Sequence, residues 1–292
     1  MLHLKGTITA LVTPFTPDGS QVDYEKLREL VEWQIQEGVN GLVPMGTTGE
    51  CPTVSHEEHD KVIATVVKYV NKRVPVIAGT GSNSTAEAVR LTKAAKDVGA
   101  DACLVVCPYY NKPNQKGLYN HFKTIQDIGL PVVLYNIPGR TGINMTPQTV
   151  AELAKLPNIV AIKEATGSLD QASEIAALCD LPILSGDDNL TLPLMVIGAK
   201  GVISVLSNCA PSKVLAITNN VLEGDYGSAR IAHLENVNFV KSLFMEPNPQ
   251  PVKQVLEMMG KCSAAVRAPL TACSPETIAI LKEHLVKAKL IQ

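Results

Sequence analysis

The chain has 292 residues, of which 46% are hydrophobic and 18% are charged, so it is long and apolar enough to bury a large core. Its formal net charge of -2 gives no excess positive charge to neutralise nucleic acid phosphates or anionic lipids. These values exclude a disordered chain, and we expect no nucleic acid partner.

The apolar runs are all too short for a transmembrane helix, and the first residues lack a basic region followed by a cleavage pattern of small residues. We therefore expect a cytoplasmic protein without membrane contact. The seven cysteines are odd in number, form no CxxC motif and lie mostly within apolar segments. This usage predicts reduced thiols rather than a disulfide framework or a zinc site.

Eight short apolar runs recur along the chain, each with a polar or glycine-containing tip, and helix-length amphipathic stretches lie between them. They span residues 7–15, 41–46, 74–81, 102–110, 131–139, 158–165, 181–188 and 201–208. Strands buried on both faces and alternating with helices predict a parallel α/β sheet, and eight such units favour a closed (β/α)8 TIM barrel. An open doubly wound sheet is the alternative, but no GxGxxG motif follows the first strand.

The helical stretches carry start signals and continue to the end of the chain. Ser55 with Glu58, and Ser84 with Glu87, have the spacing of capping boxes. After residue 208 the pattern is helical, and the first of these helices is expected to close the barrel. We predict a catalytic barrel at 1–224 and a small C-terminal helical appendage at 225–292, docked as one unit.

Reactive residue types gather at the predicted carboxyl ends of the strands, where the active site of a (β/α)8 barrel lies. They are Thr47, Thr48, Tyr109, Tyr110, Tyr135, Arg140, Lys163, Glu164, Asp187 and Asp188. This clustering predicts a site at that end of the barrel.

Lys163 ends an apolar strand, and the period of two places Ile159, Ala161 and Lys163 on one face. If that face is the barrel interior, burial disfavours the ammonium and leaves neutral amine, which can form a Schiff base with a ketone. The alternative is a strand-end lysine that snorkels to solvent or pairs with Glu164.

Three nearby features favour the Schiff base. The segment GTTGE, from Gly46, offers hydroxyls and accessible backbone N–H groups for a carboxylate, although such segments also form ordinary turns. Tyr135 is either a proton carrier or a cap on the core, and Arg140 is either a clamp for a second carboxylate or a solvated cation. Together they are typical of a class I aldolase that acts on a 2-keto acid and an acidic partner, with no metal or cofactor.

The motifs GTTGE, AGTGSN, PYYNKP, LYNIPGRTG, AIKEATG, LSGDD, GVISV and EPNPQPVK occur in this order. With them, the chain resembles the dihydrodipicolinate synthase (4-hydroxy-tetrahydrodipicolinate synthase) family of pyruvate-dependent aldolases, from about residue 4 to residue 290. The resemblance implies a lyase in lysine and diaminopimelate biosynthesis, which condenses pyruvate with L-aspartate 4-semialdehyde.

The resemblance also implies a role for each matching residue. Lys163 would form the imine; Tyr135, Thr47 and Tyr110 would form a proton relay, with Tyr110 reaching into a neighbouring subunit. Thr48 would hold the pyruvate carboxylate, Arg140 would receive the semialdehyde carboxylate, and Ile203 would place a backbone carbonyl near the substrate. The expected assembly is a homotetramer of two tight dimers.

Many bacterial members of the family bind L-lysine as an inhibitor at a dimer interface. The matching positions are His56, His59, Asn83, Glu87 and Tyr109. Cys51 and Pro52 occupy positions where small residues such as serine and alanine are common in the family, which puts lysine affinity in doubt. Two exposed helix histidines remain the alternative for the HEEH segment.

Two other functions stay open at this point. N-acetylneuraminate lyases and 2-keto-3-deoxy sugar acid aldolases share the lysine and tyrosine but usually lack the equivalent of Arg140. A catalytically inactive barrel that senses keto acids or lysine is the second alternative.

Overall fold

The computed structural model describes residues 2–292, and eight parallel strands form its central sheet. The strands are β1 (Gly6–Ala10), β2 (Gly41–Val43), β3 (Ile77–Gly79), β4 (Ala102–Val106), β5 (Val132–Asn136), β6 (Ile159–Glu164), β7 (Ile183–Ser185) and β8 (Gly201–Ser204). Their order is β2-β1-β8-β7-β6-β5-β4-β3, and a parallel bridge between Leu42 and Val76 joins the two ends. The sheet is therefore a barrel, as predicted, and each strand lies within one predicted run except β1, which begins one residue earlier.

Helices follow the strands and surround the barrel. They are α1 (Tyr24–Gln36), α2 (His56–Val70), α3 (Thr85–Asp97), α4 (Gln115–Gln126), α5 (Pro138–Thr141), α6 (Pro147–Leu153), α7 (Leu169–Leu178), α8 (Thr191–Val196), α9 (Pro211–Glu223), α10 (Tyr226–Ser242), α11 (Gln250–Met258) and α12 (Pro275–Lys287). The last two, α11 and α12, pack against each other. No helix within residues 2–292 has the length and apolar character needed to span a bilayer. The expected C-terminal helices are present, whereas the boundary at residue 224 remains a prediction.

The strand side chains divide into two buried clusters because successive residues point to opposite faces of a sheet. The inner cluster is formed almost entirely by strand residues and includes Ile8, Leu104, Tyr135 and Ala161. The outer cluster joins the other strand faces to the helices. The barrel interior is thus a packed apolar core, and its carboxyl end is where polar groups begin.

A buried ion pair connects the C-terminal helices to the loop after β2. Lys253 of α11 donates to Glu50 Oε1 at 2.7 Å, and their side chains are 0% and 1% exposed. The Arg267 backbone N–H donates to the other Glu50 oxygen at 3.0 Å. Lys253 and Arg267 both lie over the Phe15 ring. The end of the chain is therefore fastened to the GTTGE loop.

One predicted capping box is present and the other is only half formed. Ser55 and Glu58 make both reciprocal hydrogen bonds at the start of α2, as predicted. At α3, the Ser84 side chain accepts from the Glu87 backbone N–H at 3.4 Å. The Glu87 carboxylate binds Ser82 and His56 instead of returning to Ser84, because these stronger partners lie beside it.

Candidate active site

Lys163 lies at the carboxyl end of β6 with its side chain inside the barrel. The residue is 6% exposed, and its Nζ lies 4.3 Å from the ring centroid of Tyr135 on the neighbouring strand β5. Tyr135 and Lys163 are paired in the strand register, so both side chains point to the same face. The snorkelling alternative does not describe this lysine.

The expectation that Ile159 shares a face with Lys163 is wrong. The pairing of β5 with β6 runs from Val132–Ile159 directly to Val133–Ala161, so the register shifts at Val160. Such a β-bulge inserts one extra residue and exchanges the faces on either side of it. Ile159 consequently packs in the outer cluster, while Ala161 packs in the inner one and Lys163 lies on the same face of β6 as Ala161.

Glu164 faces away from Lys163 and is fully engaged elsewhere. Its carboxylate accepts from the Thr166 backbone N–H at 2.9 Å and from the amides of Asn136 and Gln171 at 3.4 and 3.5 Å. Burial raises the pKa of this carboxyl. Glu164 therefore stabilises the loop after β6, and the alternative in which it pairs with Lys163 is wrong.

Two close backbone approaches shape the site around the lysine. A Cβ on Gly186, after β7, would lie 3.1 Å from Cε of Lys163 and 2.5 Å from Cβ of Ala165. A Cβ on Gly79 would lie 2.1 Å from the carbonyl oxygen of Met45, at the start of the GTTGE loop. Glycine is required at both points because no side chain fits.

The GTTGE loop brings Thr47 and Thr48 to the mouth of the barrel. Thr48 is buried, and its Oγ1 accepts a hydrogen bond from Asn248 Nδ2 at 2.9 Å. Arg140 lies in α5 beyond β5, and its Nη2 donates to the backbone carbonyl of Asn248 at 3.4 Å. A hydroxyl from the GTTGE loop and a guanidinium from α5 thus line the same cavity as the lysine.

These side chains line one cavity of about 50 Å³ above the inner cluster. Its walls are Ala10, Val43, Gly46, Thr47, Thr48, Leu104, Tyr135, Ile137, Arg140, Lys163, Gly186, Val205, Phe244 and Asn248. The floor is apolar, and the polar groups are an amine, a phenol, two hydroxyls, a guanidinium and an amide. Such a site can bind a small anionic ketone and move protons beside an amine.

Sequence reasoning did not assign Gly186, Val205, Phe244 or Asn248 to the site. Gly186 and Asn248 occur in the LSGDD and EPNPQPVK motifs, which could have drawn attention to them. Val205 is held by Asp188, whose carboxylate accepts from the backbone N–H of Val205 at 2.9 Å and binds Ser204 at 2.5 Å. Asp188 is therefore a support for the cavity wall.

Two predicted site residues do not line this cavity. Tyr110 is 89% exposed and adopts a positive φ of 72° on the loop after β4. Ile203 of β8 packs its side chain in the inner cluster below the cavity, beside β1. Within one chain, the structure brings together Lys163, Tyr135, Thr47, Thr48 and Arg140.

A second cavity of about 370 Å³ adjoins the first and shares Thr47, Ile137 and Arg140 with it. Four of the five residues predicted for an effector site line it, namely His56, His59, Glu87 and Tyr109. Asn83 lies outside the lining residues, and its carbonyl accepts from Asn111. The fifth predicted residue is thus near this cavity without forming its wall.

The two histidines differ in their surroundings. His56 Nε2 lies 2.8 Å from Glu87 Oε1, and hydrogen bonds from Ser82 and then His56 lower the pKa of Glu87. His59 is buried, its Nε2 lies 2.9 Å from the Gly79 carbonyl oxygen, and burial lowers its pKa. Only His56 fits the alternative of an exposed helix histidine, because its side chain is 59% exposed.

The sequence and the eight-stranded barrel are matched by known proteins. The model of the dihydrodipicolinate synthetase family matches residues 3–288. This chain belongs to that family. The 4-hydroxy-tetrahydrodipicolinate synthase of Geobacter metallireducens is 56% identical to it, over 96% of this chain and 98% of the relative.

Two solved structures of the family are also similar over nearly the whole chain. The dihydrodipicolinate synthase from Acinetobacter baumannii, complexed with pyruvate, has a TM-score of 0.96 at 46% identity and covers 99% of this chain and 100% of its own. The enzyme from Cyanidioschyzon merolae, with lysine bound, has a TM-score of 0.96 at 39% identity, with coverage of 98% and 99%. The family membership makes this chain a lyase of the pyruvate-dependent class.

Proposed function

We propose that this chain is a 4-hydroxy-tetrahydrodipicolinate synthase that condenses pyruvate with L-aspartate 4-semialdehyde. One observation carries the proposal: the amine of Lys163 is buried at the carboxyl end of β6, beside the Tyr135 ring and open to a small cavity with anion-binding groups. Relatives that share more than half of its sequence carry this name.

The first steps take place at the ketone of pyruvate. The Lys163 amine attacks the carbonyl carbon, water leaves, and an imine joins lysine and substrate. Loss of a proton from the methyl carbon then gives an enamine. Tyr135, with Thr47 and Tyr110, is proposed to carry these protons, and Tyr135 lies beside the amine.

The second substrate brings an aldehyde and a second carboxylate. The enamine carbon attacks the aldehyde, and the amino group of the semialdehyde then displaces Lys163 from the imine carbon, which closes the ring and frees the enzyme. Thr48 is proposed to hold the pyruvate carboxylate and Arg140 the semialdehyde carboxylate. Ile203 is proposed to contribute its backbone carbonyl.

The discriminating test compares Arg140→Ala with the wild type. Removing the guanidinium should raise the KM for semialdehyde by roughly tenfold to a hundredfold, because a charge-assisted hydrogen bond is lost. The pyruvate concentration for half-maximal borohydride trapping should change less than about threefold. The measurement is steady-state condensation together with trapping on intact protein.

Arg28→Ala, on the surface of α1 where Arg28 pairs with Glu25, is the matched control and should behave as wild type. Equal effects of Arg140→Ala on both substrates would contradict the assignment. Cleavage of N-acetylneuraminate in preference to condensation would favour the sugar acid aldolases. Binding of pyruvate without any turnover would favour the sensor.

We further propose that two chains pair so that Tyr110 of one completes the site of the other, within a homotetramer. Tyr110 is 89% exposed, which is unusual for an aromatic side chain that acts in catalysis. On α10, Ile231 and Leu234 are exposed as well. Exposed apolar side chains of this kind support further contact between copies.

Complementation tests the shared site. Tyr110→Phe and Lys163→Met should each be nearly inactive alone, with the tyrosine change costing about 10²-fold or more. Co-expressed, they should recover about a quarter of wild-type activity, because random pairing restores one complete site in each mixed pair. Mixed pairs seen by native mass spectrometry without recovered activity would refute the shared site.

L-lysine is proposed as an effector in the second cavity. Glu87 and His56 supply polar groups there, and the relative from Cyanidioschyzon merolae was solved with lysine bound. Cys51 and Pro52 form part of the wall, where small residues are common in the family. The shared Arg140 offers a route from this cavity to the catalytic one.

A further inference from the structure

Asn248 occupies a position between the two carboxylate-binding side chains of the site. It precedes α11, is 6% exposed and lines the catalytic cavity. Its side-chain Nδ2 donates to Thr48 Oγ1 at 2.9 Å, and its backbone carbonyl oxygen accepts from Arg140 Nη2 at 3.4 Å. None of the steps described above uses this residue.

The direction of the hydrogen bond to Thr48 matters for ligand binding. A hydroxyl has one proton to donate and two lone pairs to accept with. Because the amide of Asn248 donates into the oxygen, the proton of Thr48 stays available for another acceptor. A carboxylate is an acceptor only, so it is the ligand group that such a hydroxyl suits.

Packing alone does not account for an amide at this position. Within residues 2–292, Oδ1 of Asn248 is buried and has no hydrogen-bond partner. An unpaired buried acceptor costs free energy, whereas an apolar side chain of similar size would fill the space without that cost. The donor Nδ2 is the part of the side chain that contacts the site.

The buried ion pair also fixes Asn248 and Thr48 relative to each other. Lys253, one turn into α11, forms the buried ion pair with Glu50, which lies two residues after Thr48. The segment that carries Asn248 is therefore fastened to the loop that carries Thr48. The amide is held where it can orient the hydroxyl.

We propose that Asn248 is a positioning residue for pyruvate, which orients the Thr48 hydroxyl so that its proton points to the substrate carboxylate. This inference rests on the proposed function and adds a residue to its pyruvate site. Asn248 acts through Thr48 and does not touch the reacting atoms.

Asn248→Asp reverses the hydrogen bond with almost no change of shape. At neutral pH the new carboxylate accepts the Thr48 proton and repels the substrate carboxylate. The pyruvate concentration for half-maximal borohydride trapping on Lys163 should rise about tenfold to a hundredfold, and about threefold to tenfold for Asn248→Ala. As the pH falls, the new carboxyl becomes protonated and can donate. The half-maximal pyruvate concentration of Asn248→Asp, divided by that of the wild type, should therefore fall towards one.

Two comparisons separate positioning from structure. Asn238→Asp, on the exposed side of α10, should trap as wild type at every pH. In a Thr48→Val background, Asn248→Ala should add no further loss, because the hydroxyl that it orients is gone. This pair of variants decides the question if Asn248→Asp fails to fold.

The inference would be overturned if the Asn248 variants needed the same pyruvate concentration as the wild type for half-maximal trapping. It would also be overturned if Asn248→Ala raised that concentration as much in the Thr48→Val background as in the wild type. These results leave the proposed function standing as long as wild-type protein traps pyruvate. Wild-type protein that forms no adduct on Lys163 would instead remove the proposed function, and this inference with it.

Discussion

Lys163→Met is expected to abolish covalent trapping of pyruvate and to lower kcat by roughly three orders of magnitude or more, as loss of a covalent nucleophile does elsewhere. Methionine keeps the length and the apolar stem of the side chain and removes only the amine. Among the described residues that line the cavity, Lys163 is the one lysine, so no second lysine of that lining can replace it. Borohydride reduction with pyruvate, followed by peptide mapping, measures the adduct.

The control for this prediction is Lys282→Met, on the exposed side of α12. It should keep wild-type trapping and turnover. Thermal unfolding should show that Lys163→Met folds at least as stably as the wild type, because a buried amine is replaced by an apolar group. A pyruvate adduct that persists on another lysine would show that Lys163 is a structural cation.

Lys253→Met is expected to lower the free energy of unfolding by about 3–5 kcal/mol, since it leaves the Glu50 carboxylate buried with no cation. Both side chains are almost completely buried, and burial lowers the pKa of Lys253, so each charge depends on the other. Urea unfolding measures the change. Turnover should fall too, because Glu50 follows the threonines of the GTTGE loop.

The paired variant Lys253→Met with Glu50→Gln should be less destabilised than Lys253→Met alone, because no uncompensated charge remains. The exposed pair of Lys155 with Glu152 supplies the comparison: Lys155→Met should cost less than about 1 kcal/mol. If Lys155→Met and Lys253→Met lowered the free energy of unfolding equally, burial of the Lys253–Glu50 pair would have little effect on stability.

The sequence predicted the barrel well because its signals are local and repeated. Each strand is a short apolar run such as Val132–Asn136, followed by a polar tip, and these signals need no knowledge of distant contacts. The same regularity placed Lys163, Tyr135, Thr47 and Arg140 at one end of the barrel. Strand ends were less exact: β7 ends at Ser185, three residues before the apolar run was expected to stop.

The details that failed depend on contacts between distant residues. The bulge at Val160 is a matter of register with β5, which the period of two along β6 does not reveal. Glu87 left its capping role for His56, 31 residues away in the chain. Asn248 contacts Thr48 across 200 positions, so a window along the sequence shows only a proline-rich segment there.

The contribution of Phe244 and Asn248 to the cavity has a consequence for the order in which a new molecule becomes active. Both residues lie in the last fifth of the chain, and they meet Lys163 and Thr48, which leave the ribosome much earlier. A nascent chain folds from its N-terminus, so all eight strands can emerge before the cavity has its full wall. The reactive lysine is thus made well before the segment that completes its pocket, and catalytic competence is acquired only after Asn248 has been synthesised.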